Sequence, residues 1–287
     1  MDLCNVNELK PLLARHGFRF SKSMGQNFLI APWVPERIAA ESGADKSNGV
    51  VEIGPGVGVL TRELAKRAGK VAAIELDRAL LPVLAETLAD CPNAETVPGD
   101  VMKLDLGALV NEKLDGLTPM VCANLPYNIT TPVLTKLLGA KLFANVTVMV
   151  QKEVAARICA APGTKDYGAF SVFCQYHADC RALFDVGPGC FMPAPKVTST
   201  VVRLTPLAAP PAEVRDEGAF FAVVRAAFAQ RRKTLCNALS AAYGSRYSKD
   251  ALRKAIAACG LEENVRGERL GLAEFAALAE RLEGRGP

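Results

Sequence analysis

Histidine is nearly absent from this sequence: His16 and His177 are the only two in 287 residues. Nine cysteines stand at 4, 91, 122, 159, 174, 180, 190, 236 and 259, yet no two form a C-x-x-C pair. Metal-ligand spacing is therefore missing. No stretch approaches the roughly 18 uninterrupted apolar residues of a membrane span. The opening MDLCNVNELK also lacks the apolar run of a secretory signal. A cytoplasmic setting is expected, in which an odd number of cysteines reads as reduced, buried thiols that pack as small apolar groups. Net charge is small too, at +4 against a hydrophobic fraction of 50%, which excludes disorder as the main state.

What charge there is falls unevenly. Residues 1–214 carry 21 Lys+Arg and 21 Asp+Glu, whereas residues 215–287 carry 13 and 9, so the whole excess lies in the last quarter. That tilt suits a polyanionic partner and equally suits a solvated helical surface.

The length fits one large domain and one smaller one. From Asn48 to about Val202, short apolar runs alternate with helical spacing. VVEI (50–53), VAAIE (71–75), ETVPGD (95–100), MVCANL (120–125) and VTVMVQ (146–151) read as strands. Between them TRELAKRA (61–68), RALLPVLAETLAD (78–90) and TPVLTKLLGA (131–140) read as helices. After the Pro-broken GPGCFMPAPK (187–196), VTSTVVRL (197–204) is strand-like again. This βαβα rhythm predicts an α/β fold with a mostly parallel, doubly wound sheet and helices on both faces. TPLAAPPAEV (205–214) has three prolines and no periodicity, and reads as a linker. The segments 219–242, 249–260 and 270–284 then look helical throughout. The expected division is an α/β domain over 1–205 and a small all-α domain over 212–287.

The first strand runs straight into Gly54-Pro55-Gly56-Val57-Gly58, with a helix following. Glycines at such a turn let a ligand approach the backbone, and the helix start offers free N–H donors. Glu75 ends the next strand, where an acid accepts hydrogen bonds from both hydroxyls of a ribose. Asp100 closes the following strand and could accept from an adenine amino group; taken alone it reads as a turn or N-cap aspartate. A dinucleotide site wants Gly-x-Gly-x-x-Gly, but the third position here is Val59. The spacing Glu52-x-Gly54-x-Gly56-x-Gly58 instead looks like the first motif of S-adenosylmethionine-dependent methyltransferases. Glu52 either supports the cofactor end of its strand or is a paired core acid.

Asn124-Leu125-Pro126-Tyr127 follows the fourth strand, at the edge where open α/β sheets bind ligands. It resembles the Asn/Asp-Pro-Pro-Tyr/Phe signature of enzymes that methylate exocyclic amines of bases. An adenine amino nitrogen is a poor nucleophile because its lone pair is delocalised into the ring. The Asn124 carboxamide oxygen and a nearby backbone carbonyl can accept its two N–H bonds and free the lone pair, while Tyr127 offers a stacking face worth about 1–3 kcal/mol.

Together the chain resembles the ribosomal RNA adenine N6,N6-dimethyltransferases. GQNFL (25–29), VEIGPGVGVLT (51–61), IELD (74–77), GDVMKLD (99–105) and NLPYNIT (124–130) match that family in order and spacing. VQKEVAARI (150–158), FMPAPKVTSTVVRL (191–204) and FAQRRKTLCNAL (228–239) continue the resemblance. Thr198 departs from it, standing where many members carry an acid.

The resemblance implies a Rossmann-like methyltransferase domain that binds S-adenosyl-L-methionine through Gln26, Asn27, Leu29, Gly54, Gly56, Glu75, Leu76, Asp100, Val101 and Asn124. It places the target adenine at Asn124, Leu125, Pro126 and Tyr127, with Phe191 facing Tyr127 across the base; read from the sequence alone, Phe191 is a core aromatic. Arg231-Arg232-Lys233 is either a solvated helix face or a phosphate contact for RNA. The implied substrate is two adjacent adenines near the 3′ end of 16S rRNA in the immature small ribosomal subunit. A monomer that uses neither membrane nor metal is expected. Two other functions stand beside this one: a large-subunit rRNA adenine methyltransferase of the antibiotic-resistance type, and a ribosome assembly or transcription factor on the same fold.

Overall fold

The apolar runs of the first two thirds become buried strands, and the glycines, acids and amides at their ends become the rim of one pocket. The structure, a computed structural model, describes residues 1–20 and 25–283. After α1 (Val6–Arg15), the chain forms β1 (Phe28–Leu29), α2 (Trp33–Glu41), β2 (Asn48–Ile53), α3 (Val59–Arg67) and β3 (Lys70–Glu75). Next come α4 (Leu81–Thr87), β4 (Ala94–Pro98), α5 (Leu106–Lys113), β5 (Thr118–Asn124), α6 (Thr130–Ala140) and β6 (Val146–Gln151). Then follow α7 (Lys152–Ile158), α8 (Ala169–His177), β7 (Ala178–Val186), β8 (Phe191–Met192) and β9 (Ser199–Pro206). Four helices complete the chain: α9 (Glu217–Ala229), α10 (Leu235–Tyr243), α11 (Lys249–Ala258) and α12 (Leu272–Glu283).

One seven-stranded sheet has the order β4-β3-β2-β5-β6-β9-β7. Strands β4, β3, β2, β5 and β6 are mutually parallel, and β9 runs antiparallel to β6. β2 and β3 are buried apart from their first residue and β6 apart from its last, as expected of strands covered on both faces. The chain winds outward from β2 to β3 and β4, then returns to β5 on the other side of β2. That reversal is a topological switch point, where open α/β sheets hold ligands. A separate antiparallel pair, β1 with β8, sets Leu29 opposite Phe191. The core below includes Val50, Leu64, Val71, Leu84 and Met149.

Three expectations need correction. The chain divides into two compact units, but not at a single linker: one comprises Met1–Ala155 and Asp179–Pro206, the other Ala156–Ala178 and everything from Leu207 onward. Residues 156–178 belong with the helical unit because Tyr167, Val172 and Tyr176 are buried in its core beside Phe220, Val223 and Leu239. The rings of Tyr176 and Phe220 stack at 5.0 Å, and the Tyr167 hydroxyl donates to the Leu270 carbonyl at 2.9 Å. Second, β7 was not expected; its residues alternate charged outward positions with apolar ones at the sheet edge. Third, the helix read over 219–242 is broken between Ala229 and Leu235, because the Thr234 side chain accepts from the Asn237 N–H and starts a new helix.

Of the nine cysteines, Cys122, Cys174 and Cys236 are buried, and the other six are partly exposed. Among the described residues, no helix is long and apolar enough to cross a membrane. Gly284, the last residue of the 270–284 segment, lies outside the described residues.

Candidate active site

The carboxyl ends of β2, β3, β4 and β5 meet the segment before α2 around one pocket. Gln26, Asn27 and Leu29 line it on one side, with Gly54 and Gly56 beneath. Glu75 and Leu76 come from the end of β3, Asp100 and Val101 from the turn after β4, and Asn124, Leu125, Pro126 and Tyr127 from the end of β5. These sequence-predicted residues are thus brought together, although as many as 101 positions separate them in the chain (Gln26 to Tyr127).

The glycine turn has a steric reason. Gly54, Gly56 and Gly58 have φ of +69°, +62° and +90°, a region that costs other residues strain. A Cβ on Gly56 would stand 3.1 Å from two ring carbons of Phe28, so the close packing of turn and N-terminal segment needs glycine there. Gly58 caps α3 without a side chain, leaving that helix's first N–H groups unanswered by the cap.

Glu75 is only 6% exposed. Its Oε1 accepts from the Asp77 N–H at 2.8 Å and its Oε2 from the Gly56 N–H at 3.4 Å. Burial raises its pKa, and those backbone donors oppose the rise. Asp77, not anticipated from sequence, links two parts of the rim: Oδ2 accepts from Gln26 Nε2 at 2.7 Å and Oδ1 from the Ala79 N–H at 3.0 Å. Its signal in the sequence was its place at the end of IELD (74–77), two residues beyond Glu75.

Glu52 lines the same pocket and is 1% exposed, with no partner for Oε2. It enters none of the described ion pairs; burial pushes its pKa up to about 8, against the opposing effect of the Thr61 hydroxyl, so the carboxyl is largely protonated at neutral pH. Asp100 has the turn role read for it, Oδ1 accepting from the Met102 N–H at 2.9 Å, and the residue also lines the pocket.

At the end of β5, Asn124 Nδ2 donates to the Asn27 carbonyl at 3.3 Å. A backbone carbonyl only accepts, so this contact fixes which way the amide points. Three residues on, the Tyr127 hydroxyl and Ser199 Oγ lie 2.7 Å apart, tying the ring to β9. Burial raises the Tyr127 pKa, so the phenol stays neutral. Ser199 is a second residue that sequence reasoning did not single out.

Two predictions are placed differently. Phe191 is 3% exposed and part of the apolar core, and it does not line the pocket. The β1–β8 register pairs it with buried Leu29, so it is a core aromatic and not an open wall facing Tyr127. Arg231, Arg232 and Lys233 lie exposed in the turn between α9 and α10 and not on a helix face. Arg231 is tied down there, donating to the Lys165 carbonyl at 2.9 Å and to Glu268 at 3.2 Å. Among the described residues, no cluster of three or more His, Cys, Asp or Glu side chains could hold a metal ion.

Comparison with known proteins agrees with this geometry. The family model for ribosomal RNA adenine dimethylase matches residues 17–283. Ribosomal RNA small subunit methyltransferase A of Alkaliphilus oremlandii is 45% identical over 281 residues, covering 98% of both chains. The protein of the same name from Geobacillus thermodenitrificans is 45% identical over 284 residues, covering 98% of this chain and 97% of its own. Among solved structures, the 23S rRNA methyltransferase ErmE is similar at a TM-score of 0.67 and 27% identity, over 90% of this chain and 100% of that one. A dimethyladenosine transferase from Plasmodium falciparum shares the fold at a TM-score of 0.72 and 24% identity, over 88% and 95% of the two chains. The chain belongs to the ribosomal RNA adenine dimethylase family.

Proposed function

We propose that this chain transfers methyl groups from S-adenosyl-L-methionine to N6 of two adjacent adenines near the 3′ end of 16S rRNA, acting on the immature small subunit in the cytoplasm. The observation that carries the reading is the orientation of Asn124. One N–H of its amide donates to the Asn27 carbonyl, which orients the side chain and leaves Oδ1 as its acceptor toward a ligand. An acceptor is what an adenine amino group requires. The small-subunit target is favoured over the large-subunit one because the relatives of higher identity carry the small-subunit name.

The pocket residues fit the cofactor. Buried Glu75 offers a carboxylate to a ribose diol, Asp100 an acceptor to the cofactor's adenine amino group, and Leu76 and Val101 apolar cover for the purine. Gly54 and Gly56 leave the backbone open to the methionyl portion, next to Gln26, Asn27 and Leu29. When bound, the cofactor supplies a methyl group on a sulfonium, a donor already activated and needing no metal. Asn124 Oδ1 and the Leu125 carbonyl accept the two N–H bonds of the target amine, which directs its lone pair at that methyl. With the cofactor bound, the N–C bond would form as the S–C bond breaks, and the amine proton would leave to water. Tyr127, held by Ser199, stacks the flipped-out base. Positioning then carries the rate. The whole pocket comes from one unit of one chain, so a monomer suffices. Arg232 and Lys233 of the helical unit contact RNA phosphates.

Single-turnover transfer of labelled methyl to immature small subunits tests this. Asn124→Ala should lose at least about a hundredfold, the scale of removing one preorganised polar contact from a transition state. RNA binding should be retained, because phosphate contacts dominate that affinity. Near-wild-type transfer would refute the mechanism. A variant that lost transfer yet matured subunits in cells would assign the selected role to assembly.

A further inference from the structure

Trp33 is the only tryptophan of the chain, and it is 44% exposed. It opens α2, and Arg37, one turn later on the same face, is exposed as well. Against them stands Phe184 on β7, the edge strand of the large sheet. The Arg37 guanidinium carbon lies 4.1 Å from the centre of the Phe184 ring. The Trp33 ring centre is 6.1 Å from the same ring, tilted by 50°. The three side chains form one surface of two aromatic rings and a cation.

Arg37 has no carboxylate partner among the described ion pairs, whereas its neighbours Arg203 and Lys152 are committed to Glu41 and Asp185. A single exposed apolar side chain needs no explanation. A guanidinium held 4.1 Å over a ring centre is different: the contact localises the cation without neutralising it. Rings for stacking beside a free cation are the chemistry of an unpaired nucleotide site. Position supports the same reading. α2 follows directly on β1, and Phe184 lies shortly before β8; the two short strands pair, with the Ile30 N–H donating to the Cys190 carbonyl at 2.9 Å. The β1–β8 pair thus ties the backbone of this region to the segment that carries Asn27 and Leu29.

We propose that Trp33, Arg37 and Phe184 form a second RNA-docking surface on the methyltransferase unit, stacking an unpaired base of the rRNA on Trp33 and holding its phosphate on Arg37. This surface is separate from the pocket and does not depend on the catalytic roles assigned there.

The lone tryptophan makes the test direct, since RNA contributes none. The full-length protein is titrated with a protein-free transcript of the 3′ portion of 16S rRNA while Trp33 emission and its acrylamide quenching are followed. Saturable quenching and loss of acrylamide access are expected. Trp33→Ala should weaken RNA binding about 5- to 150-fold, with Trp33→Phe retaining part of it. Arg37→Gln should lower the salt slope by about 0.7. Calorimetric cofactor binding should be unchanged in each variant, which certifies the fold and keeps failure here distinct from failure of the pocket assignment. Wild-type RNA affinity in both Trp33→Ala and Arg37→Gln, or a Trp33 signal indifferent to bound RNA, overturns the proposal and leaves the surface to a protein partner or to core cover.

Discussion

Replacing Glu75 by alanine removes a buried carboxylate on which two backbone donors already converge. The Asp77 and Gly56 N–H groups hold its oxygens at 2.8 and 3.4 Å, so the acceptor is positioned before any ligand arrives. A hydrogen bond to a charged group contributes about 1.5–3 kcal/mol, and each 1.4 kcal/mol is tenfold in affinity. Cofactor dissociation constants should therefore rise about 10- to 150-fold in Glu75→Ala. Glu75→Gln keeps the shape and one carbonyl acceptor and should fall between this and wild type. The ionised form is the better acceptor and burial has raised its pKa, so wild-type affinity should weaken as pH falls towards that value. The Gln variant should lack that dependence. Isothermal titration over a pH series, beside circular dichroism melts of the same preparations, measures all of this. A folded Glu75→Ala protein with unchanged affinity, or a Gln variant with the wild-type pH profile, would refute the assignment of Glu75 to the cofactor.

Glu52 gives a stability prediction. Its folded pKa is about 8 against an ordinary 4.5, so the stability it contributes is complete below the lower value and is lost as pH rises through the higher one. Glu52→Gln should flatten that decline, and melting temperatures that fall alike in both proteins across this range would discard the argument. In the turn after α9, Arg232→Gln and Lys233→Gln should each lower the salt slope of RNA binding by about 0.7–0.9, the value of one phosphate contact. Arg231→Gln should lower it less, since its guanidinium is held by Lys165 and Glu268; equal slopes for all three, or none changed, would count against phosphate contact there.

Much of the α/β unit was legible because its central strands are apolar runs, and burial on both faces leaves no other pattern for them. β7 was not, since Asp179, Arg181 and Asp185 break the run where an edge strand faces water. β1 and β8 are two residues each, too short to carry any periodicity. The break before α10 was hidden by Gln230, Arg231, Arg232 and Lys233, all good helix formers, and only the capping oxygen of Thr234 marks it. Most site residues were readable because they close strands or fill a motif. Phe191 was readable from the sequence as a core aromatic, and only the resemblance had set it opposite Tyr127. Asp77 was missed because its partner, Gln26, is 51 positions away.

The interleaving of the two units also sets an order of events during synthesis. α8 ends at His177, but the partner for its aromatic face, α9, begins at Glu217, 40 residues later. At about 5–20 residues per second the ribosome needs roughly 2–8 s to supply that cover. In that interval β7 and β9 can add to the sheet's edge and finish the first unit, while Phe170, Phe173 and Tyr176 wait beside it in water. A stall or truncation in the linker after Pro206 would prolong that wait indefinitely. The nascent chain is then most exposed to aggregation and to capture by chaperones, at the moment when its catalytic half is already complete.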